Sequence, residues 1–427
     1  MTAMLEKAKK TGLRLLRWSE RYTKTDIIYL ASGGFWLTLG EVAGALATLL
    51  LAIAFAHYVS KDVYGTYRFL TAAFWTLTAF TMTGLPTAIS RAIARGREGV
   101  FRSSFSYSIL WSLPITFIAL CISGYYFFNG NSVLGLGFVI IAVLGPLLQA
   151  GYLWSSYFVG KRKFRGLAIC GTLFAFLPAA ALVAVMRLNP NPVVLFFVSL
   201  FSTIAVGLLI AVYIVVKYRP NRESDNEYKK LGGHFSAMNL LATIAQQVDK
   251  LVVFHFLGGV DLAIYSFATA LPEQIKNVFG GVSTLALPKF VARPFAEIRA
   301  NFWNRLWLYT ALLVLISIAY MAIAPFVFDL FFPAYTGAIW YSQLYALSLI
   351  PMGSALPTTL LQAHTAKREL YILSVLGPVF TIGTLIVLTS LYGLTGAVAA
   401  RIAGRTLSLV LGGILVEVYA LRTRLAK

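Results

Sequence analysis

The chain has 427 residues, of which 59% are apolar (AVILMFWYC) and only 12% charged, with a mean hydropathy of +0.76. Soluble domains are near half apolar and a quarter charged, and single cores stop growing at about 250–300 residues, so lipid must solvate most of the surface. The formal charge of +20 invites a nucleic-acid partner, and the placement of the cations along the chain excludes it.

Residues 1–26, MTAMLEKAKKTGLRLLRWSERYTKTD, are basic and lack the compact apolar region and cleavage site of a signal peptide. They read as an amphipathic helix at the cytoplasmic membrane surface, with Leu5, Leu13, Leu16 and Trp18 toward lipid. A disordered basic tail fits the same pattern.

A spanning helix needs roughly 20 mostly apolar residues. Runs of that kind occupy about 33–58, 68–90, 105–127, 134–159, 167–187, 193–216, 236–257, 264–288, 306–330, 339–364, 370–391 and 395–420. Breaks rich in Gly, Pro, Asn and charge separate them. Lys and Arg then fall on two sides: 29 in the tails and alternate loops, three (Lys61, Arg68, Arg187) on the other side, and four within spans. This asymmetry is the positive-inside pattern. It places both termini in the cytoplasm and supports twelve spans, because one helix more or fewer would scramble every later loop.

The longest polar stretch, 217–235, follows the sixth run, so the chain is expected to divide into a six-helix lobe (27–216), a cytoplasmic linker (217–235), a second six-helix lobe (236–420) and a cytoplasmic tail (421–427). An even number of helices per half makes the repeat parallel, about an axis along the membrane normal. YRFLTA (67–72) and YSFATA (265–270) agree at four of six positions, and each leads on to a Leu-Pro pair, Leu85-Pro86 and Leu287-Pro288. The fold class expected is therefore an all-α integral membrane protein with about twelve transmembrane helices in two pseudo-symmetric lobes.

Charge inside a bilayer costs about 2.5–3.5 kcal/mol per residue on insertion scales, so such groups face a cavity or each other. The seventh run carries Asn239, Thr243, Gln246 and Lys250 on one helical face, flanked by Gln247 and Asp249. The eighth carries Ser266, Thr269, Glu273, Lys276 and Gly280 on one face, extended by Asn277. These stripes are either charge pairs that join helices or the walls of a watery cavity. The flanking amides favour the cavity, since ion pairs alone do not need them.

Glu41, beside Gly40 and Gly44, is a cavity carboxylate that titrates or a partner for a nearby cation. Arg401 and Arg405 share a face of the twelfth run, as cavity cations or as counter-charges to Glu41 or Asp329. Gln149 reads as a packing hydrogen bond. Cys121 and Cys170 lie in apolar runs, and four scattered histidines have no ligand spacing, so no disulfide or metal site is expected. No nucleotide, zinc-protease or serine-hydrolase motif appears, and the outer loops are too short for a catalytic domain, which argues against a glycosyltransferase or polymerase.

Three stretches resemble a known family. They are Gly34–Arg97 with SKDVYGTYRF and TGLPTAISRAIARG, residues 248–290 with VDKLVVFHFLGGVDLAIYSFATALPEQI and LALPKF, and residues 330–351, LFFPAYTGAIWYSQLYALSLIP. Together they resemble the polysaccharide (O-antigen) flippases of the multidrug/oligosaccharidyl-lipid/polysaccharide exporter superfamily. The resemblance implies a central cavity lined by the helices that open each lobe, with Glu41, Arg68, Asp249, Lys250, Glu273 and Lys276 as lining candidates. It implies an undecaprenyl-pyrophosphate-linked glycan as substrate, moved from the cytoplasmic to the outer leaflet of a bacterial or archaeal cell membrane. Lys250 and Lys276 would then bind pyrophosphate, and Asn239, Gln246, Gln247 and Asn277 would hydrogen-bond sugars. No cofactor is expected. H⁺ or Na⁺ coupling through Glu41, Asp249 or Glu273 stays open, as does association with glycan polymerase or glycosyltransferase membrane proteins. A lipid II flippase and a cation-coupled multidrug exporter are the alternatives in the same superfamily.

Overall fold

The structure, a computed structural model, describes residues 27–291 and 293–425, with the side chains of 27–33, 277–289, 291, 296, 424 and 425 outside that description. The basic segment 1–26 and the end of the 421–427 tail therefore lie beyond it. All regular structure among the described residues is helical.

The first half runs α1 (Ile27–Tyr58), α2 (Lys61–Leu77), α3 (Leu85–Ala94), α4 (Val100–Trp111), α5 (Leu113–Phe128), α6 (Ser132–Gly151), α7 (Trp154–Gly160), α8 (Phe164–Leu188) and α9 (Pro192–Tyr218). The second runs α10 (Glu227–Leu257), α11 (Gly259–Val291), α12 (Phe295–Phe331), α13 (Ile339–Ala346), α14 (Ala355–Ala363) and α15 (Lys367–Leu425). Nine of the described helical stretches are long and apolar enough to cross a membrane. One of them, α15, is two spans: Gly393, at φ +57° and ψ −137°, reverses the chain where a side chain would be strained. The α2–α3 pair and α11 complete the twelve runs of the sequence. Rows of large side chains stand bare on the outside, Phe117 at 72% and Leu209 at 68% exposed, a surface that only lipid tolerates at this density.

Starts of helices are written in the sequence. Ser60, Asn131 and Asn191 cap α2, α6 and α9 by accepting from Val63, Leu134 and Val193 backbone N–H groups at 3.4, 3.0 and 2.9 Å. The second run, expected as one helix over 68–90, is instead broken. Thr78 and Thr81 turn their hydroxyls onto the carbonyls of Trp75 (2.6 Å) and Thr78 (2.7 Å), which competes with helix continuation. A 3₁₀ turn at Thr78–Phe80 results, and Pro86 then suits the first turn of a new helix. The tenth run is broken likewise by a 3₁₀ stretch, Leu347–Ser354, around Pro351.

The two halves share one apolar core on the side away from the basic loops, where Phe55, Tyr64, Tyr67 and Phe196 of the first half meet Phe267 and Tyr335 of the second. On the basic side each half has its own core, one around Leu85, Phe101 and Trp154 and the other around Phe302, Leu360 and Val416. A molecule closed by a common core at one face and divided into two cores at the other is a pair of lobes parted toward the basic face.

The closure is tight. Tyr67 and Tyr265 of the repeated motif each lie six residues into their helices, and α2 and α11 pack together with Tyr64 and Phe267 rings 4.9 Å apart. A Cβ on Gly65 would lie 1.8 Å from the carbonyl oxygen of Gly259, so backbone touches backbone.

At the basic face the first half holds the segment expected as linker. Gly99 N–H donates to Glu223 O (2.8 Å), Glu98 N–H to Asn221 Oδ1 (3.1 Å) and Asn221 Nδ2 to Gly96 O (2.7 Å). Arg97 pairs with Asp225, and Arg95 with Glu227 at 3.3 Å. The seventh helix therefore begins at Glu227, inside the 217–235 stretch, and its first turns pack on α3, with Gly84 N–H donating to Ser236 Oγ at 3.0 Å.

Gly65→Ala is expected to cost about 1–3 kcal/mol by overpacking, read as a lower unfolding temperature of the solubilised protein. Gly124→Ala, where nothing lies within 4 Å of the new methyl, should leave it unchanged or higher. Equal behaviour of the two variants would contradict the close lobe contact.

Candidate functional site

Asp249 of α10 is only 4% exposed. Its Oδ2 accepts from Arg401 Nε at 3.0 Å, with Arg401 Nη2 at 2.7 Å, and from the Tyr265 hydroxyl of α11 at 2.9 Å. Arg401, on the second span of α15, spends its remaining N–H groups on the carbonyls of Ala245 (3.3 Å) and Gln246 (3.2 Å). One turn along the same face of α15, Arg405 pairs with Glu273 of α11 and donates to Ser348 Oγ at 2.6 Å. Glu273 also accepts from the Tyr345 hydroxyl at 2.5 Å and from Lys276 on its own helix.

Two guanidiniums thus satisfy two carboxylates and tie four segments of the second half together. Removing one partner of such a buried pair leaves an uncompensated charge, a cost of about 3–5 kcal/mol.

The reading of Arg401 and Arg405 as counter-charges holds, but their partners are corrected. They pair with Asp249 and Glu273, not with Glu41 or Asp329. Spacing along the chain could not reveal this, since the pairs join residues 152 and 132 positions apart.

Lys250 is left without a carboxylate partner among the described residues. Asp249 turns its Oδ1 to the Lys250 backbone N–H (2.9 Å), and the ammonium instead donates to Gln247 Oε1 at 2.7 Å. Across the lobe interface, Arg68 of α2 has a buried Nε with no hydrogen-bond partner among the described residues. Its helix α2 packs against α10, which carries Lys250. The expected polar stripe continues from Lys250 toward the basic face, where Gln246 and Asn239 are exposed on α10.

Five cations (Arg68, Lys250, Lys276, Arg401, Arg405) therefore gather around two carboxylates. The centre carries a formal charge of +3 by these residues.

Not every candidate joins it. Glu41 is exposed on α1, which packs on α8 with Gly40 against Ala168, and it has no polar contact among the described residues. The side chain of Asn277 lies outside the described residues. Tyr265, Tyr345 and Ser348 were not singled out as site residues, because none of them falls on the two polar faces read from the sequence. No group of three His, Cys, Asp or Glu side chains suited to a metal ion occurs among the described residues.

Residues 30–292, more than half of the chain, match the family described as "Polysaccharide biosynthesis protein". The chain belongs to this family. A protein named "Putative O-antigen transporter", from Shigella flexneri, is 22% identical over 289 residues, covering 62% of this chain and 68% of the relative. The structure is similar to an inward-facing multidrug resistance MATE family transporter of the MOP superfamily, with a TM-score of 0.68, 16% identity, and coverage of 89% of this chain and 96% of that one. It is also similar to the lipid II flippase MurJ in an inward closed conformation, with a TM-score of 0.65, 13% identity, and coverage of 90% and 86%. This member of the polysaccharide biosynthesis protein family thus shares the multi-pass helical fold of those two proteins.

Arg401→Gln should destabilise the folded protein by about 3–5 kcal/mol, and adding Asp249→Asn should recover most of the loss. Additive losses in that double-mutant cycle would show that the pair is not coupled as described.

Proposed function

We propose that this protein flips a polyprenyl-pyrophosphate-linked oligosaccharide across the cell membrane, from the cytoplasmic to the outer leaflet, for cell-surface polysaccharide synthesis. The observation that carries this reading is the excess of positive charge inside the helix bundle, with no carboxylate paired to Lys250 or Arg68 among the described residues. Two cations held near each other in a poorly solvated interior repel, and an entering anion relieves that repulsion. Lysine and arginine both suit phosphate, the one as a mobile point charge and the other as a fork. A cationic drug would meet the opposite field, which weighs against a multidrug exporter.

In this reading the pyrophosphate binds Lys250, Lys276 and Arg68, while Gln246, Gln247 and Asn239 contact sugars and the prenyl tail stays in lipid. Alternating access then needs the closed face at Gly65 and Gly259 to part while the basic face closes. A head with about two negative charges gains roughly 4–5 kcal/mol per 100 mV on moving outward across an inside-negative potential. The membrane potential is therefore a sufficient bias. Coupling to H⁺ or Na⁺ through Asp249 or Glu273 would first have to break their guanidinium pairs, whereas Glu41 carries no such engagement.

Each charge-assisted contact to phosphate is worth about 1.5–3 kcal/mol. Lys250→Gln combined with Arg68→Gln should therefore slow flipping of a polyprenyl-pyrophosphate glycan in proteoliposomes by about 100-fold or more. A prenyl-linked sugar without pyrophosphate should be unaffected by the change. Undiminished flipping of the pyrophosphate lipid by a folded double variant would refute the assignment, and preference for lipid II over other pyrophosphate-linked glycans would redirect the substrate to the peptidoglycan precursor.

A further inference from the structure

On the basic face of the first half, away from the central charges, a cavity of about 720 Å³ opens between the start of α8, the end of α9 and the flank of α1. Cations on that face take two kinds of partner. Arg95, Arg97, Lys161, Arg299 and Arg422 all reach carboxylates. Lys163, Arg165 and Lys217 reach aromatic rings instead, and none of the three has a carboxylate partner among the described residues. Lys163 Nζ lies 3.8 Å from the Tyr218 ring centroid, and Arg165 Cζ lies 5.5 Å from that of Trp36. Lys217 Nζ donates to the Tyr213 hydroxyl at 2.5 Å.

Cation–ring contacts at exposed sites are worth only about 0.5–1 kcal/mol, less than a charge-assisted bond to a phosphate oxygen. These three cations would therefore exchange rings for phosphate. The first turn of α8 adds to the same field. Its N-cap position, Lys163, makes no side-chain cap bond, and Arg165 and Gly166 line the cavity, so the positive end of the helix lies beside it. The floor is different in kind: Phe158, Ile169 and Cys170 are apolar. A cationic rim over an apolar floor matches an amphiphile at headgroup depth, whereas a free phosphate has no use for the floor.

We propose that this cavity binds one anionic membrane phospholipid, its phosphate held by Lys163, Arg165 and Lys217 and its acyl chains laid toward Ile169 and the α1–α8 seam. Basic recesses between spans at the positively charged face are suited to such headgroups. The site is separate from the central charges and does not depend on what the transporter carries. Occupancy would pin α1, which otherwise packs chiefly on α8, to the rest of its half.

The test is native mass spectrometry of the full-length protein, stripped of lipid in a neutral detergent and offered phosphatidylglycerol, phosphatidylcholine or inorganic phosphate. One phosphatidylglycerol is expected to be retained about 10-fold better than phosphatidylcholine, a margin equal to one charge-assisted bond. Lys163→Gln/Arg165→Gln/Lys217→Gln should abolish that preference. Lys163→Gln and Lys217→Gln alone, both at exposed positions, should each weaken it about threefold and serve if the triple variant does not fold. Equal retention of the two lipids, or an unchanged preference in the variants, would overturn the proposal. Displacement of phosphatidylglycerol by millimolar inorganic phosphate would overturn the lipid assignment and leave a simple anion site.

Discussion

Asp249 and Glu273 sit where water cannot reach them freely, and each carboxylate is held by a guanidinium from α15. A lone charge in such a position costs about 2.5–3.5 kcal/mol on insertion scales, which the pairs Asp249–Arg401 and Glu273–Arg405 offset for the two carboxylates. They fix how α10, α11 and α15 stand to one another, and Tyr345 and Ser348 bring the tenth span into the same lock. With both carboxylates engaged, the cations left over define the electrostatic character of the interior. Lys250 and Arg68 owe their unpaired state to this stoichiometry.

α10 belongs to both halves. Its first turns are strapped to the first half through Arg95, Arg97, Asn221 and Ser236, while Asp249 anchors its far end to α15. Between Ser236 and Ala245 its only side-chain hydrogen bond among the described residues is internal, Thr243 to Asn239 O at 2.9 Å. That stretch is where relative movement of the lobes would be absorbed, and it carries the exposed amide of Asn239. A swing of one half against the other would therefore bend the helix that bears the stripe.

Much of this was legible in the sequence, and the reasons are specific. Span number followed from hydropathy and from the 29-to-3 distribution of cations, because lipid enforces both. That Lys250, Asp249, Glu273 and Lys276 would make polar contacts within the bundle followed from the cost of charge inside a span. Partner identity did not, because Arg401 and Arg405 lie in the last span and nothing local indicates which earlier helix they meet. The break of the second run at Thr78–Phe80 was hidden by its apolar composition, though the threonines and Pro86 carry the signal in hindsight. The phosphate-suited cavity near Lys163 was masked too: GKRKFR reads only as one more cytoplasmic cation cluster until folding brings Lys217 and Trp36 beside it.

The central claim is that the positive centre faces an aqueous passage open to the basic side. Its most direct measurement is labelling by a membrane-impermeant maleimide of Gln246→Cys, in a protein with Cys121 and Cys170 replaced by Ser, against Phe117→Cys on the lipid-facing surface. Gln246→Cys should react rapidly and be protected by a polyprenyl pyrophosphate, while Phe117→Cys should stay inert. Reaction at Gln246→Cys no faster than at Phe117→Cys, or labelling indifferent to the pyrophosphate lipid, would contradict it.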